Sequence, residues 1–231
     1  MSAQIDNPQT VSYKRSFLIG CLLGDASSRR RDWKSTGRLK AEVSFVHALD
    51  QRDYLEWKAN QFGLMFGFEP TVHIHEMDNN AKFWFTRGKR IRVIHDWFHK
   101  AGRKAITEKI RFMDHPIGLA MLLCDDGSIV KRKKVHVDGS IYYIRPTTML
   151  ATHCFTPDEV SLLLNHIEKL CGAKGYINYE RRWRHGQRVE YARSVFNAAE
   201  TEKLWNYVKA YIPPVPSMLI KFAYAIEHYG L

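Results

Sequence analysis

The chain has 231 residues, 45% hydrophobic and 26% charged, a composition that excludes disorder or a low-complexity fibre and allows one large domain or two of about a hundred residues each. Lys and Arg number 35 against 24 Asp and Glu, a net charge of +11, which points to a polyanionic partner, nucleic acid first. Cys21, Cys124, Cys154 and Cys171 are scattered with no Cys-x-x-Cys pair, which argues against a structural zinc site or a disulfide scaffold and for a reducing, intracellular setting, with bacterial cytoplasm and organelle not distinguished.

Residues 1–12 read as a polar leader without a signal-peptide core, and no apolar run reaches the length of a membrane span, so no membrane partner is expected. An apolar helix is expected from about Ser16 to Gly24. A basic stretch with Arg29, Arg30, Arg31 and Lys34 follows, in which Arg29 to Arg31 fall in an expected loop. From Arg38 the residues alternate, with Arg38, Lys40, Glu42 and Ser44 on one face and Leu39, Ala41, Val43 and Phe45 on the other, the period of a half-buried strand. Asp50 is placed as the cap of a helix running to Gln61 and stopped by Gly63. The runs TVHIH and KFWFT, joined at Asp78-Asn79-Asn80, read as a hairpin that carries His73, His75 and Lys82. Residues 90–100 read as an amphipathic helix ending near Ala101-Gly102.

The second half repeats the order. An apolar helix at 117–124 leads into basic strands at 129–145, and a strand TTMLATHC follows. Thr156-Pro157-Asp158-Glu159 is a capping box with Pro in the first turn, and its helix ends at Cys171-Gly172. A basic hairpin spans 176–196 with its turn at His185-Gly186, and a last helix covers about 199–211. Helix, strand, strand, helix, strand, strand, helix thus occurs twice, which describes a pseudo-dimer within one chain.

The two apolar helices carry the chemistry. Leu18-Ile19-Gly20-Cys21-Leu22-Leu23-Gly24-Asp25-Ala26 is apolar nearly all round and therefore buried. Its glycines, each costing about 1 kcal/mol against Ala in a helix, call for close approach of a second helix. Leu119-Ala120-Met121-Leu122-Leu123-Cys124-Asp125-Asp126-Gly127 is the matching segment. Packed in parallel, the two helices bring Asp25 together with Asp125 or Asp126 at the negative ends of two helix dipoles, a repulsion that a divalent cation relieves.

These two stretches resemble the paired signature helices of the LAGLIDADG homing endonucleases, in the monomeric class with two motifs in one chain. The resemblance covers nearly the whole chain. Its fold is α+β: two pseudo-symmetric αββαββα halves with the motif helices at the core and two curved antiparallel sheets forming a DNA-binding saddle. The expected division is a leader at 1–12, halves at 13–106 and 116–231, and a linker at 107–115. The family's catalytic acids carry over to Asp25 and Asp126. An alignment on a Gly20/Ala120 helix contact gives Asp125 instead, and Asp126 is preferred because Asp-Gly then closes the motif. Metal-facing carbonyls carry over to Gly24 and Asp125. The family's basic residues, in loops after each third helix, map to Lys104 and Lys221. The water-holding polar residue at the end of the second strand maps to His47, and in the second half to Thr152, His153 or Cys154.

The basic strands are the expected DNA reader. Beside Arg29, Arg30, Arg31, Lys34, Arg38 and Lys40 stand Lys131, Arg132, Lys133, Lys134, His136 and Arg145. A third cluster, Arg181, Arg182, Arg184, Arg188 and Arg193, is interleaved with Tyr179, Trp183 and Tyr191. Two-stranded ribbons fit the major groove, where Arg reads guanine, and Arg also binds phosphate without reading sequence. The resemblance implies an intron-encoded, monomeric nuclease that hydrolyses both strands of a long asymmetric duplex site across the minor groove, with Mg²⁺ or another divalent ion such as Mn²⁺. The alternative is a group I intron maturase that binds its own intron RNA and cuts nothing. A transcription factor on the same fold would need an added DNA-binding domain.

Overall fold

Thr10 accepts a hydrogen bond from the Tyr13 N–H and caps helix α1, Val11–Leu23, which therefore starts inside the expected leader. The computed structural model describes residues 7–8, 10–33, 38–86, 88–184 and 186–231. Lys34 and His185 lie outside the described residues, as do the side chains of Arg31, Arg38, Lys40 and Arg184.

The first half continues with β1 (Ser27–Trp33), β2 (Arg38–Ala48), α2 (Arg52–Phe66), β3 (His73–His75), β4 (Asn80–Thr86) and α3 (Gly88–Phe98). A short hairpin, β5 (His99–Lys100) and β6 (Arg103–Lys104), follows. The second half is α4 (Pro116–Asp126), β7 (Gly127–Val135), β8 (Ile141–Leu150), α5 (Pro157–Cys171), β9 (Tyr176–Arg184), β10 (Gln187–Phe196), α6 (Ala198–Val208) and α7 (Pro216–Tyr229). The two sheets have equivalent antiparallel orders, β1-β2-β4-β3 and β7-β8-β10-β9. The fold is the expected α+β pair of pseudo-symmetric halves. Among the described residues no helix is long and apolar enough to cross a membrane.

Several local expectations are corrected. Arg29, Arg30 and Arg31 are in strand β1, paired residue by residue with β2, and not in a loop. Arginine has no strand signature of its own, and the partner strand decides here. Helix α2 runs through Gly63 and ends at a left-handed Gly67 at φ 66°; Gly63 instead makes room for the Phe68 carbonyl oxygen, 2.8 Å from where a Cβ would stand. Asp50 lies in a 3-10 turn before that helix and does not cap it. The stretch TTMLATHC is no separate strand: its first residues complete β8. Residues 216–222, expected in the loop that carries Lys221, belong to helix α7. Proline at its first turn and the buried Met218, Phe222 and Ala225 at helical spacing are the signals that mark it.

The core is continuous through both halves and is centred on α1 and α4. They meet backbone to backbone: a Cβ on Gly20 would lie 2.0 Å from the Gly118 carbonyl oxygen, and one on Gly118 would lie 2.7 Å from that of Ser16. The contact partner of Gly20 is thus Gly118 and not Ala120. Phe45, Phe62, Phe83 and Phe85 pack edge-to-face and stacked between α2 and the first sheet. At the start of α5 the Thr156/Glu159 capping box forms as expected.

Candidate active site

The parallel ends of α1 and α4 place three acids together. Asp25 is exposed just past α1, and Asp125 and Asp126 are the last residues of α4. Ser27 pairs with Ser44 in the first half and Gly127 with Leu150 in the second. With the motif alignment that matches Asp126 to Asp25, and so Asp125 to Gly24, this pairing makes Thr152 the counterpart of His47. Burial first, and then repulsion from Asp25 and Asp125, pushes the Asp126 carboxyl up to about 7. Burial and then Asp125 raise Asp25 as well. Asp25, His47 and Asp125 offer ligand atoms that all lie within 4.8 Å of one another.

Asp125 points across the interface into the space that Gly24 leaves open, where a Cβ would stand 2.6 Å from its carboxylate. Its side chain is inaccessible to solvent, and so is that of Lys58 on α2, whose Nζ lies 2.5 Å from Asp125 Oδ1. The Tyr54 hydroxyl donates to the same oxygen at 2.8 Å, and the Asp25 N–H donates to Oδ2 at 3.2 Å. Burial alone would lower the Lys58 ammonium, but the Asp125 carboxylate overrides it and holds the pKa above the ordinary lysine value. Lys58 and Tyr54 are expected on the stripe of this helix but not among the site residues. An uninterrupted stripe that includes Lys58 between Tyr54, Leu55, Ala59 and Phe62 is the signal that finds it, since a lysine on a core face needs a buried partner.

Lys104 and Lys221 occupy equivalent places. Lys104 donates to the carbonyls of Gly24 at 2.5 Å and Ala26 at 3.0 Å, and Lys221 donates to those of Cys124 at 2.5 Å and Asp125 at 3.2 Å. Each ammonium thus sits on the negative end of its own motif helix. The delivery is also equivalent. Arg103 makes a bidentate pair with Glu159 at the start of α5, and the Ser217 N–H donates to Asp53 at the start of α2, so each segment docks on the opposite half. Both carbonyls expected to face a metal, those of Gly24 and Asp125, are engaged by these lysines. Ile220 beside Lys221 is 77% exposed, so the apolar neighbours of this lysine do not enclose it on every side.

His47 is buried at the end of β2, with Nδ1 3.9 Å from Asp25 Oδ2. Thr152, its counterpart, turns away: its hydroxyl donates to the Ala192 carbonyl. His153 instead faces Glu180, and Cys154 is exposed.

Each sheet has one face covered by helices and one open face. On the first sheet the open face carries Arg29, Ser44, Lys82 and Trp84 around one shallow depression, with His73 stacked on Trp84. Arg29 pairs there with Glu42, whereas Arg30 turns to the other face and pairs with Asp96 of α3. His75 is exposed on the neighbouring edge strand β3. In the second sheet, pairing puts Asn178, Glu180 and Arg182 on the face of Tyr191 and Arg193, opposite the buried Ala192 and Ser194. Arg181 and Arg188 project from the face of Ala192, so the third basic cluster is divided between the two faces. Lys131, Arg132, Lys133, Lys134 and His136 are exposed on the β7–β8 hairpin, Lys131 over the rings of Tyr143 and Tyr224. Arg145 reaches Glu202 of α6 at 4.0 Å.

A family model described as the LAGLIDADG DNA endonuclease family matches residues 15–198. Among solved structures, the chain is similar to the homing endonuclease I-WcaI bound to its DNA recognition sequence, with a TM-score of 0.59 and 18% identity over 91% of this chain and 85% of that one. It is similar to the I-SmaMI LAGLIDADG homing endonuclease bound to cleaved DNA, with a TM-score of 0.55 and 12% identity over 91% and 87%. It is similar as well to a variant of I-DmoI in complex with its target DNA in the presence of 2 mM Mg, with a TM-score of 0.52 and 12% identity over 87% and 97%. At such identities the likeness concerns the fold. No curated protein matches the chain.

Proposed function

Because the chain belongs to the LAGLIDADG DNA endonuclease family, we propose that it is a homing endonuclease that hydrolyses both strands of a long, asymmetric duplex site as a monomer with a divalent ion, Mg²⁺ or Mn²⁺. The observation that carries this reading is the meeting of Asp25 and Asp126 at the ends of two parallel helices, each end held by a half-buried lysine. The halves are residues 13–106 and 116–231, joined by 107–115, with helix α1 already begun at Val11.

The donor set fits a divalent cation, since burial and then neighbouring carboxylates raise the proton affinity of Asp25 and of Asp126, and a cation between them is favoured for the same reason. Bound between Asp25 and Asp126, such an ion would activate water and offset charge on the phosphate oxygens. Asp25 and Asp126 hold it by oxygen ligands of the kind Mg²⁺ prefers. His47 faces Asp25, where it orients water. Lys104 and Lys221 place positive charge beside the site without a metal's geometry, and so favour the additional negative charge of the transition state. The open faces of the two sheets bind the duplex.

Two expected results test the parts. Lys104→Met and Lys221→Met should each slow cleavage at saturating enzyme by more than they weaken duplex binding, because a contact strengthened in the transition state appears in the rate. Equal losses in both quantities would reduce these lysines to anchors of the helix ends. Among the cations, Arg182→Ala on the open face should relax preference at one base position and cost about 1–3 kcal/mol there. Arg30→Ala, turned toward α3, should leave base preference unchanged. Binding to a panel of single-base site variants decides this, and a uniform loss for Arg182→Ala would mean that β9 contacts phosphate only. The test of the whole reading is selection of cleaved sites from a randomised duplex library with Mg²⁺. Recovery of one long asymmetric site is expected, and an uncut library would overturn it.

A further inference from the structure

Lys58 is a fully buried ammonium that the proposed cleavage chemistry does not use, and its surroundings are complete. It donates to Asp125 Oδ1 at 2.5 Å, and its Nζ lies 3.2 Å from His47 Nε2. The rings of Tyr54 and Phe45 lie 4.2 and 5.4 Å away. The arrangement belongs to one half only. Helices α2 and α5 are both 15 residues long, and the seventh residue is Lys58 in the first and the buried Leu163 in the second.

An ammonium has no lone pair, so a nitrogen facing it at hydrogen-bond distance must be the acceptor. His47 is therefore neutral, since a protonated imidazole has no lone pair to offer the ammonium at 3.2 Å. A neutral imidazole that accepts at Nε2 carries its proton at Nδ1, which lies 3.9 Å from Asp25 Oδ2, and the Gln51 side chain is a further hydrogen-bond partner of the ring. The second partner of Lys58, Asp125, already accepts from Lys58, Tyr54 and the Asp25 N–H.

We propose that Lys58 is a positioning residue that closes the Asp25–His47–Asp125 cluster to metal: its ammonium occupies Asp125 and fixes His47 as an Nδ1–H donor aimed at Asp25. The cluster has the spacing of a metal site and a resident cation in its wall. A divalent ion is thereby confined to Asp25 and Asp126, and His47 acts on it only through a hydrogen bond to an Asp25 oxygen or to water. This inference rests on the proposed nuclease site, but its test does not depend on cleavage.

The test has two arms. In the metal-free wild-type protein at pH 7.5, long-range proton–nitrogen correlation of the histidine rings, with His47 identified by its loss in His47→Gln, should show Nδ1 protonated and Nε2 bare. A proton on Nε2 would overturn the proposal. In Lys58→Met, Co²⁺ titration should find one more ion per chain than in wild type, with the His47 resonances broadened by it, and an unchanged stoichiometry would also overturn it. If Lys58→Met does not fold, the wild-type tautomer alone decides. A wild-type protein that cuts no duplex, yet shows the Nδ1–H tautomer, would overturn the nuclease reading and leave the assignment of Lys58 standing.

Discussion

Asp25→Asn and Asp126→Asn are each expected to abolish cleavage of both strands while leaving duplex binding within a few-fold of wild type. Loss of a residue that merely supports a metal ligand typically costs about 10–100-fold, and loss of a ligand itself should cost more. Neither acid contacts phosphate in the proposed complex, and removing a negative charge from a DNA-binding surface does not weaken attraction to DNA. Stability separates the two neighbouring acids of α4. The Asp126 pKa is raised in the folded state, from the ordinary 3.8 to about 7, so its ionised form opposes folding, and that opposition grows as pH rises through this window. Asp126→Asn should therefore raise the melting temperature of the metal-free protein above pH 7. Asp125→Asn leaves the Lys58 ammonium buried without its counter-charge, a change that typically costs about 3–5 kcal/mol, and should lower it. A divalent ion competes with the proton for the same oxygens, so its apparent affinity should increase as pH rises through about 7 and then level off. Thermal melts of both variants and metal titrations across pH check these signs. If Asp126→Asn cuts normally and Asp125→Asn is dead without being unfolded, Asp125 is the catalytic acid. If Asp25→Asn cuts normally, the site is not a nuclease centre.

The architecture is legible in the sequence because its strongest signals are periodic or local. The alternation from Arg38, the Thr156–Glu159 box and the apolar runs ending in Asp each specify an element through contacts within a few residues. What is not legible depends on distant pairing. The arginines of β1 become strand only through β2, and their division into an open-face Arg29 and a helix-facing Arg30 follows from that register. The same holds for Lys58. Its position on the buried stripe of α2 is visible in the sequence, but its partner, Asp125, is 67 residues away on the opposite half. An Asp-Asp pair at a motif end does not reveal which carboxylate turns inward. Gly24 decides that, since it alone leaves room for Asp125 to cross the interface.

Gly20→Ala should be the most damaging Gly→Ala change among the described glycines, in both stability and cleavage. The added Cβ would stand 2.0 Å from the Gly118 carbonyl oxygen and under 3 Å from the Gly118 carbonyl carbon and Cα. All three atoms belong to the facing helix backbone, so no side chain can rotate away to relieve the overlap. The helices must separate or slide. Alanine is better than glycine in a helix by about 1 kcal/mol, which favours the variant. Forced overpacking typically costs about 1–3 kcal/mol, and more where backbone must move, so the net effect is destabilising. For a chain of this size about 1 kcal/mol corresponds to a melting shift of about 2–4 °C, and a drop of several degrees is expected. Cleavage should suffer more than stability. The same two helices carry Asp25 and Asp126 at their ends, and a 1 Å misplacement of reacting groups can cost about a hundredfold in rate. Gly118→Ala meets the flexible Met113 side chain at 2.5 Å and the Ser16 carbonyl oxygen at 2.7 Å, and should be the milder of the two. Melting curves and single-turnover cleavage well below the melting temperature measure the two effects separately. A Gly20→Ala protein that melts with wild type and cuts at the wild-type rate would show that α1 and α4 do not meet at this contact. The convergence of the acids would then need another cause.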